Sequence, residues 1–160
     1  MNPADIPNIE AMLQLWMVAM IRPGAAFLAA PVFGATNVPV QLRLVIALAV
    51  GLPAVSASGM ALPMDGLVSV SGFLYIASEV LIGLTIGFVL QMGLAAALIG
   101  GGVISNAMGL GFAAMADPMS GQMSSAIGQF LSMLATALFL AADGHLVLAE
   151  IIVQSYVALP

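Results

Sequence analysis

From Leu67 to Ile99 the chain stays apolar, carrying one carboxylate, Glu79, and no basic residue. At about 1.5 Å per residue a helix of that run covers roughly 50 Å, against a bilayer hydrocarbon core of about 30 Å. That is too long for one untilted span and too short for two spans joined by a turn. Either the helix projects beyond the hydrocarbon, or Gly100-Gly101-Gly102 breaks it. Small residues recur along it at four-residue spacing. Gly93, Ala97, Gly101, Ser105 and Gly109 form one row, and Tyr75, Glu79, Gly83, Gly87 and Gln91 another. Residues four apart share a helix face, so each row admits close approach of a second backbone. Lipid-facing surface gains nothing from such residues, and the rows are read as packing interfaces with other helices, centred on Glu79, Gly83, Gly87, Gly93, Ala97 and Gly101.

The whole chain is 62% hydrophobic and 6% charged, with a mean hydropathy of +1.19, which excludes an ordinary soluble domain. Two Arg, no Lys and seven acids leave no basic patch for a run of phosphates, so nucleic acid is not a partner. Without Cys there is neither a disulfide framework nor thiolate chemistry, and a single His cannot build a zinc site from imidazole and thiolate ligands. No cofactor is implied. Asp5 and Glu10, with no Lys or Arg, precede the first apolar run, the reverse of a signal peptide, so the first segment is expected to be retained.

Leu13–Phe33 is long enough to span, with Arg22-Pro23 as a kink in its middle. Gly34–Pro39 is a turn-rich linker; Arg22 and Arg43 alone bear on orientation and place the loop between them on the cytoplasmic side. Leu42–Val55 is short for a span and is closed by Ser56, Ser58 and Gly59. Asn106–Gln122 mixes glycines at 109, 111 and 121 and Pro118 with Met108, Met115 and Met119; it is too polar and flexible to lie naked in lipid, so it is buried in protein or lines a cavity. Ile127–Ala142 and Leu146–Leu159, separated by Asp143-Gly144-His145, form a helical hairpin. The expected fold is an all-α membrane protein of helical hairpins, with one over-long central helix and a Gly/Met-rich re-entrant loop, in a single domain over 1–160.

Few residues carry chemistry. Glu79 among aliphatic neighbours costs on the order of 2.5–3.5 kcal/mol as a charge unless paired. It is either a proton relay or a structural partner of a neighbouring helix, with Arg22 the one internal Arg at comparable depth. Packing is favoured because Gly83 and Gly87 share its face, and a Gln at 79 is then expected to be tolerated. Asp143 and His145 read as a turn, with the Asp side chain bonding local backbone and His145 as a cap or hydrogen-bonded interface residue. Arg22, Arg43, Asp143 and His145 are accordingly structural polar residues. Nucleophile-elbow, P-loop and zincin motifs are missing, so an enzyme is not expected.

Four stretches carry a resemblance. They are Arg22-Pro-Gly-Ala-Ala-Phe-Leu-Ala-Ala-Pro31-Val-Phe-Gly34 running on to Val38-Pro39 and Leu42-Arg43; Glu79-Val-Leu-Ile-Gly83 with Gly87-Phe88; Met108-Gly-Leu-Gly-Phe112 leading to Asp117-Pro118; and Phe139-Leu-Ala-Ala-Asp-Gly144-His145. In order and spacing they resemble the FliR family of flagellar and type III secretion export-gate proteins. Ala107 departs from it, standing where the family usually has Gln. The resemblance covers nearly the whole chain and implies an N-terminal portion, since such proteins run on for roughly a further hundred residues.

The resemblance implies a non-enzymatic subunit of a conduit that passes unfolded polypeptides across the bacterial inner membrane. It also implies FliP-like and FliQ-like neighbours and an FlhB-like protein at the entrance. By position, the loop that plugs such gates maps to Met108, Gly109, Gly111, Phe112, Met115, Asp117, Pro118 and Met119. Two other classes compete: an ion-coupled transporter subunit with a Glu79/His145 relay, and a small self-associating pore former.

Overall fold

The computed structural model of the chain describes residues 9–34, 38–58, 67–109 and 125–159. Among them all regular structure is helical. Six helices follow in order: α1 (Ile9–Ala19), α2 (Ile21–Ala29), α3 (Val40–Ser58), α4 (Val70–Ala107), α5 (Ala126–Ala141) and α6 (Gly144–Ala158). The chain divides into two compact units, Met1–Phe88 with Leu146–Pro160, and Val89–His145.

In the first unit, the first apolar segment breaks at Met20, ahead of the expected kink. The Met20 amide is shared between the carbonyls of Trp16 and Met17, at 3.2 and 3.3 Å. Pro23 then falls in the first turn of α2, where a missing N–H is harmless to the new helix. The helical stretch also ends earlier than the expected Phe33. Ala30 is extended, with φ −70° and ψ 133°, because the ring of Pro31 disfavours helical backbone in the residue before it. Phe33 folds back so that its ring meets Phe27 edge to face, centroids 5.0 Å apart.

Helix α3 runs from Val40 through Ser58 with Pro53 inside, so Ser56 and Ser58 continue the helix instead of closing it. Its apolar stretch, Val40–Ala54, remains shorter than a span requires. The buried apolar residues of this unit are small or slender: Ala19, Ala26, Ala30, Ala47 and Ala54 beside Val18, Phe27, Leu148, Ile152 and Tyr156. Where lipid is as apolar as the core, close backbone approach and van der Waals contact replace the hydrophobic effect as the association force.

Helix α4 is continuous for 38 residues, about 57 Å at 1.5 Å per residue. Ser69 caps its start, its hydroxyl oxygen accepting the Gly72 amide at 3.0 Å. Gly100-Gly101-Gly102 does not interrupt it. Each glycine costs a helix about 1 kcal/mol relative to alanine, but a break in an apolar setting would strand backbone groups at several kcal/mol each. Asn106 and Ala107, expected in the loop, belong to the helix. It ends where Gly109 adopts φ +73°, the left-handed closure common past helix C-termini.

In the second unit, Ser125 caps α5 by accepting the Gly128 amide at 2.9 Å. The backbone of α4 at Gly101 meets α5 at Gly128, with no room for a Cβ on Gly101. Past α5, Asp143 takes φ 55° and Gly144 packs beneath the Phe139 ring. This is the break that the Asp-Gly-His sequence implied. By length and apolarity, Met12–Ala29 and α4 are each able to cross a membrane, and α5 with α6 make a third crossing if the pair is one broken span.

Candidate functional site

The most polar cluster of the described residues lies in the first unit, around Arg22. Its guanidinium is clamped by Glu79, with Nε donating to Oε2 at 2.9 Å and Nη2 to Oε1 at 2.7 Å. Both side chains are 1% exposed. Nη1 donates to Ser155 Oγ at 3.1 Å and Nη2 also to the Leu159 carbonyl at 2.9 Å. The Tyr156 ring lies against the guanidinium face, 4.0 Å from Cζ to the ring centroid. Four of the five N–H groups are thereby used.

Each helix delivers its part for a local reason. Arg22 sits in the first turn of α2, one residue before Pro23. Pro23 cannot donate to the carbonyl four residues back, Ala19, and the Tyr156 hydroxyl supplies that bond at 3.2 Å. Ser155 passes its own proton to the Ile152 carbonyl at 2.6 Å, leaving its oxygen free to accept from Arg22. The Leu159 carbonyl lies just past the C-terminal end of α6, where unpaired carbonyls and the helix dipole favour a cation. One arginine thus ties α2 to the first third of α4 and to the end of α6, and Tyr156 repairs the backbone gap left by the proline.

The glycines of α4 allow this. A Cβ on Gly83 would collide with the Arg22 carbonyl and approach the Ala25 Cβ to 2.8 Å. One on Gly87 would collide with the Ala26 carbonyl and meet the Ala29 Cβ at 2.7 Å. Glu79 reaches Arg22 because the backbone of α2 lies flat on this row. The row that sequence reading assigned to packing with other helices is, at Gly83 and Gly87, occupied by the chain's own α2. The other row divides. Gly101 meets α5 and Ser105 is buried, Ala97 is half-buried, and Gly93 has no neighbour of the added Cβ within 4 Å.

The remaining candidates are dispersed. Arg43 lies half-buried on α3. Asp143 is exposed, and among the described residues its side chain makes no bond to local backbone; the turn is made by the main chain, whose Asp143 amide donates to the Leu140 carbonyl at 3.1 Å. His145 is the second residue of α6, and its Nδ1 is enclosed with no hydrogen-bond partner among the described residues. Of the plug residues, Met108 is exposed and Gly109 ends α4. Gly111, Phe112, Met115, Asp117, Pro118 and Met119, with the re-entrant loop they were to form, lie outside the described residues. Sequence reading missed Ser155 and Tyr156. Their signal was a hydroxyl pair on the same α6 face as Leu148 and Ile152, within an otherwise aliphatic stretch.

Known proteins are similar to this sequence. The family described as bacterial export proteins, family 1, matches residues 13–160. The flagellar biosynthetic protein FliR of Pectobacterium carotovorum subsp. carotovorum is 34% identical over 131 residues, which cover 82% of this chain and 49% of the relative. FliR of Escherichia coli K12 is 32% identical over 150 residues, 92% of this chain and 56% of the relative. FliR of Bacillus subtilis 168 is 32% identical over 149 residues, 93% and 57% respectively. The chain spans about half the length of the curated relatives it matches. With a match running from the first membrane-length segment to the last residue, the chain belongs to family 1 of the bacterial export proteins.

Proposed function

We propose that the chain is a component of the flagellar type III export apparatus in the bacterial inner membrane, forming part of a conduit for unfolded polypeptides. The observation that carries this reading is the family match over residues 13–160, joined to relatives named as flagellar biosynthetic proteins. Apolar membrane-length helices, and a polar cluster among the described residues that is centred on a structural ion pair, support a scaffold role over a catalytic one.

Within this reading, FliP-like, FliQ-like and FlhB-like proteins are the assembly partners, an expectation supported by the family resemblance. The Met108–Gln122 stretch acts as the plug. A closed gate must stop ions yet later admit a polypeptide; glycines let backbone swing aside, and unbranched methionines close on gaps of varying shape. Removing the gene from its host should abolish secretion of flagellar hook and filament proteins while their synthesis continues. Undiminished secretion in the deletion strain would refute the reading.

A further inference from the structure

Within the first unit, α2 is held on two sides by contacts of unequal strength. Toward α4 both partners are ionised, and two guanidinium N–H groups of Arg22 meet the two oxygens of Glu79 at 2.9 and 2.7 Å. Bidentate pairs of this kind are the strong hydrogen bonds of proteins, roughly twice a neutral one. The backbones at Gly83 and Gly87 close the same contact with no space for a Cβ. Toward α6 every acceptor is neutral. Arg22 donates there to the Ser155 hydroxyl and the Leu159 carbonyl, and the Tyr156 hydroxyl donates to the Ala19 carbonyl. Pro23 has no N–H to offer that carbonyl, so the oxygen depends on α6 being seated.

Helix α6 is also attached narrowly. Its buried residues are Leu148, Ile152 and Tyr156, four apart, so a single stripe faces inward. Ahead of it the chain turns at Asp143 with φ 55°, and a residue of this kind at an element boundary can absorb a hinge rotation. Chain order separates α6 further from its partners. The first unit is Met1–Phe88 joined by Leu146–Pro160, with the second unit, Val89–His145, made in between. Arg22 and Glu79 lie 57 residues apart, whereas Arg22 and Leu159 lie 137 apart. The clamp between α2 and α4 can therefore close before α6 exists.

We propose that α6 is a latch on the first unit: it leaves and returns by itself, releasing the Ala19 carbonyl and two Arg22 donors, while α2 stays clamped to α4. The chain of the second unit continues from α4 and returns into α6, so an open latch leaves the returning end of that unit unanchored. The proposal does not draw on the export-apparatus reading.

The chain has no Cys, so single cysteines report each contact in the full chain purified in mild detergent. Ile152→Cys reports the seat of α6, and Ala26→Cys reports α2, whose Ala26 carbonyl lies against Gly87 of α4; both residues are 0% exposed. Leu148→Cys, on the same inward stripe, replaces Ile152→Cys if that variant does not fold. Labelling by a maleimide is measured against the same cysteine in denatured protein. Tyr156→Phe should speed labelling of the α6 reporter about two- to tenfold, the worth of one neutral hydrogen bond, and that of the Ala26 reporter by less than about twofold. In a Pro23→Ala background, where residue 23 regains an N–H for Ala19, Tyr156→Phe should no longer speed α6 labelling. Glu79→Leu should speed the Ala26 reporter, which establishes that this cysteine senses the clamp. Equal acceleration of both reporters by Tyr156→Phe would make the unit a single cooperative body and overturn the latch. Unchanged α6 labelling in Tyr156→Phe, an acceleration that persists in the Pro23→Ala background, or a slow Ala26 reporter in Glu79→Leu would each overturn it too.

Discussion

Taking one charge out of the Arg22–Glu79 pair should unfold the first unit more readily than taking out both. The clamp places charge centres about 4 Å apart, worth about 4 kcal/mol at an effective dielectric of 20, in line with the about 3–5 kcal/mol lost when one member of a buried pair is removed. The two single losses differ in kind. A stranded carboxyl can be relieved by taking up a proton, whereas a stranded guanidinium stays charged. Glu79→Leu is therefore expected to be the more damaging. Glu79→Gln, which looked tolerable when Glu79 was read as acting through packing and hydrogen bonding, should fall close to it, because an amide supplies an acceptor but no counter-charge. Arg22→Met with Glu79→Leu removes both charges and should return to within about 2 kcal/mol of the parent, the remainder reflecting the Ser155 and Leu159 acceptors left behind. Thermal unfolding of the purified chain in mild detergent, followed by circular dichroism, reads these differences as a drop of about 10 °C for the single variants. The reasoning fails if Glu79→Gln melts with the parent, or if the double variant melts below the worse single one.

Matched glycine substitutions separate occupied from open parts of α4. Gly83→Ala should lower the melting point by the equivalent of about 1–3 kcal/mol, since its Cβ meets the Arg22 carbonyl, while Gly93→Ala, facing open space, should raise it by about 0.5–1 kcal/mol; equal shifts would refute the packing assignment. Tyr156→Phe should cost about 1 kcal/mol through the orphaned Ala19 carbonyl, and adding Pro23→Ala should recover part of it by restoring the missing N–H, a coupling visible in a double-mutant melt. Deleting Gly109–Ala114 is expected to leave the complex assembled but leaky to small ions in planar bilayers; an assembled deletion complex as tight as the parent would remove the plug assignment.

The sequence announced the apolar helical segments and the Asp143 break, because apolar length and turn residues are local signals, but it read as one kinked segment what forms two helices, α1 and α2. Ends were harder to read. Met20 lies ahead of the expected kink because a proline in the first turn of a helix is harmless to it, and Ala30 is extended through its neighbour Pro31, an effect one residue removed from its cause. The glycine triplet looked like a breaker by propensity, and the cost of unsatisfied backbone in an apolar setting outweighed it. Arg22 could be named as a candidate partner for Glu79 by elimination, since so few charges exist. Ser155, Tyr156 and the Leu159 carbonyl could not, because they come from more than a hundred residues away and are united only by how α6 lands. The rows of small residues declared that something would pack there and were silent on whether the occupant was the same chain.

The uninterrupted length of α4 sets a lower limit on how much of it lies outside lipid. To fit 57 Å wholly within a core of about 30 Å, the helix axis would have to lean about 58° from the membrane normal, beyond the observed range of about 0–40°. At 40° the hydrocarbon accommodates about 39 Å, leaving about 18 Å, or some twelve residues, to emerge. The exposed residues toward its ends, Phe73 and Leu74 at one and Val103, Ile104 and Met108 at the other, are as greasy as those in its middle. Whichever end emerges carries large apolar side chains past the hydrocarbon, so about twelve residues of this one helix stand where neither lipid nor water is a natural cover for them.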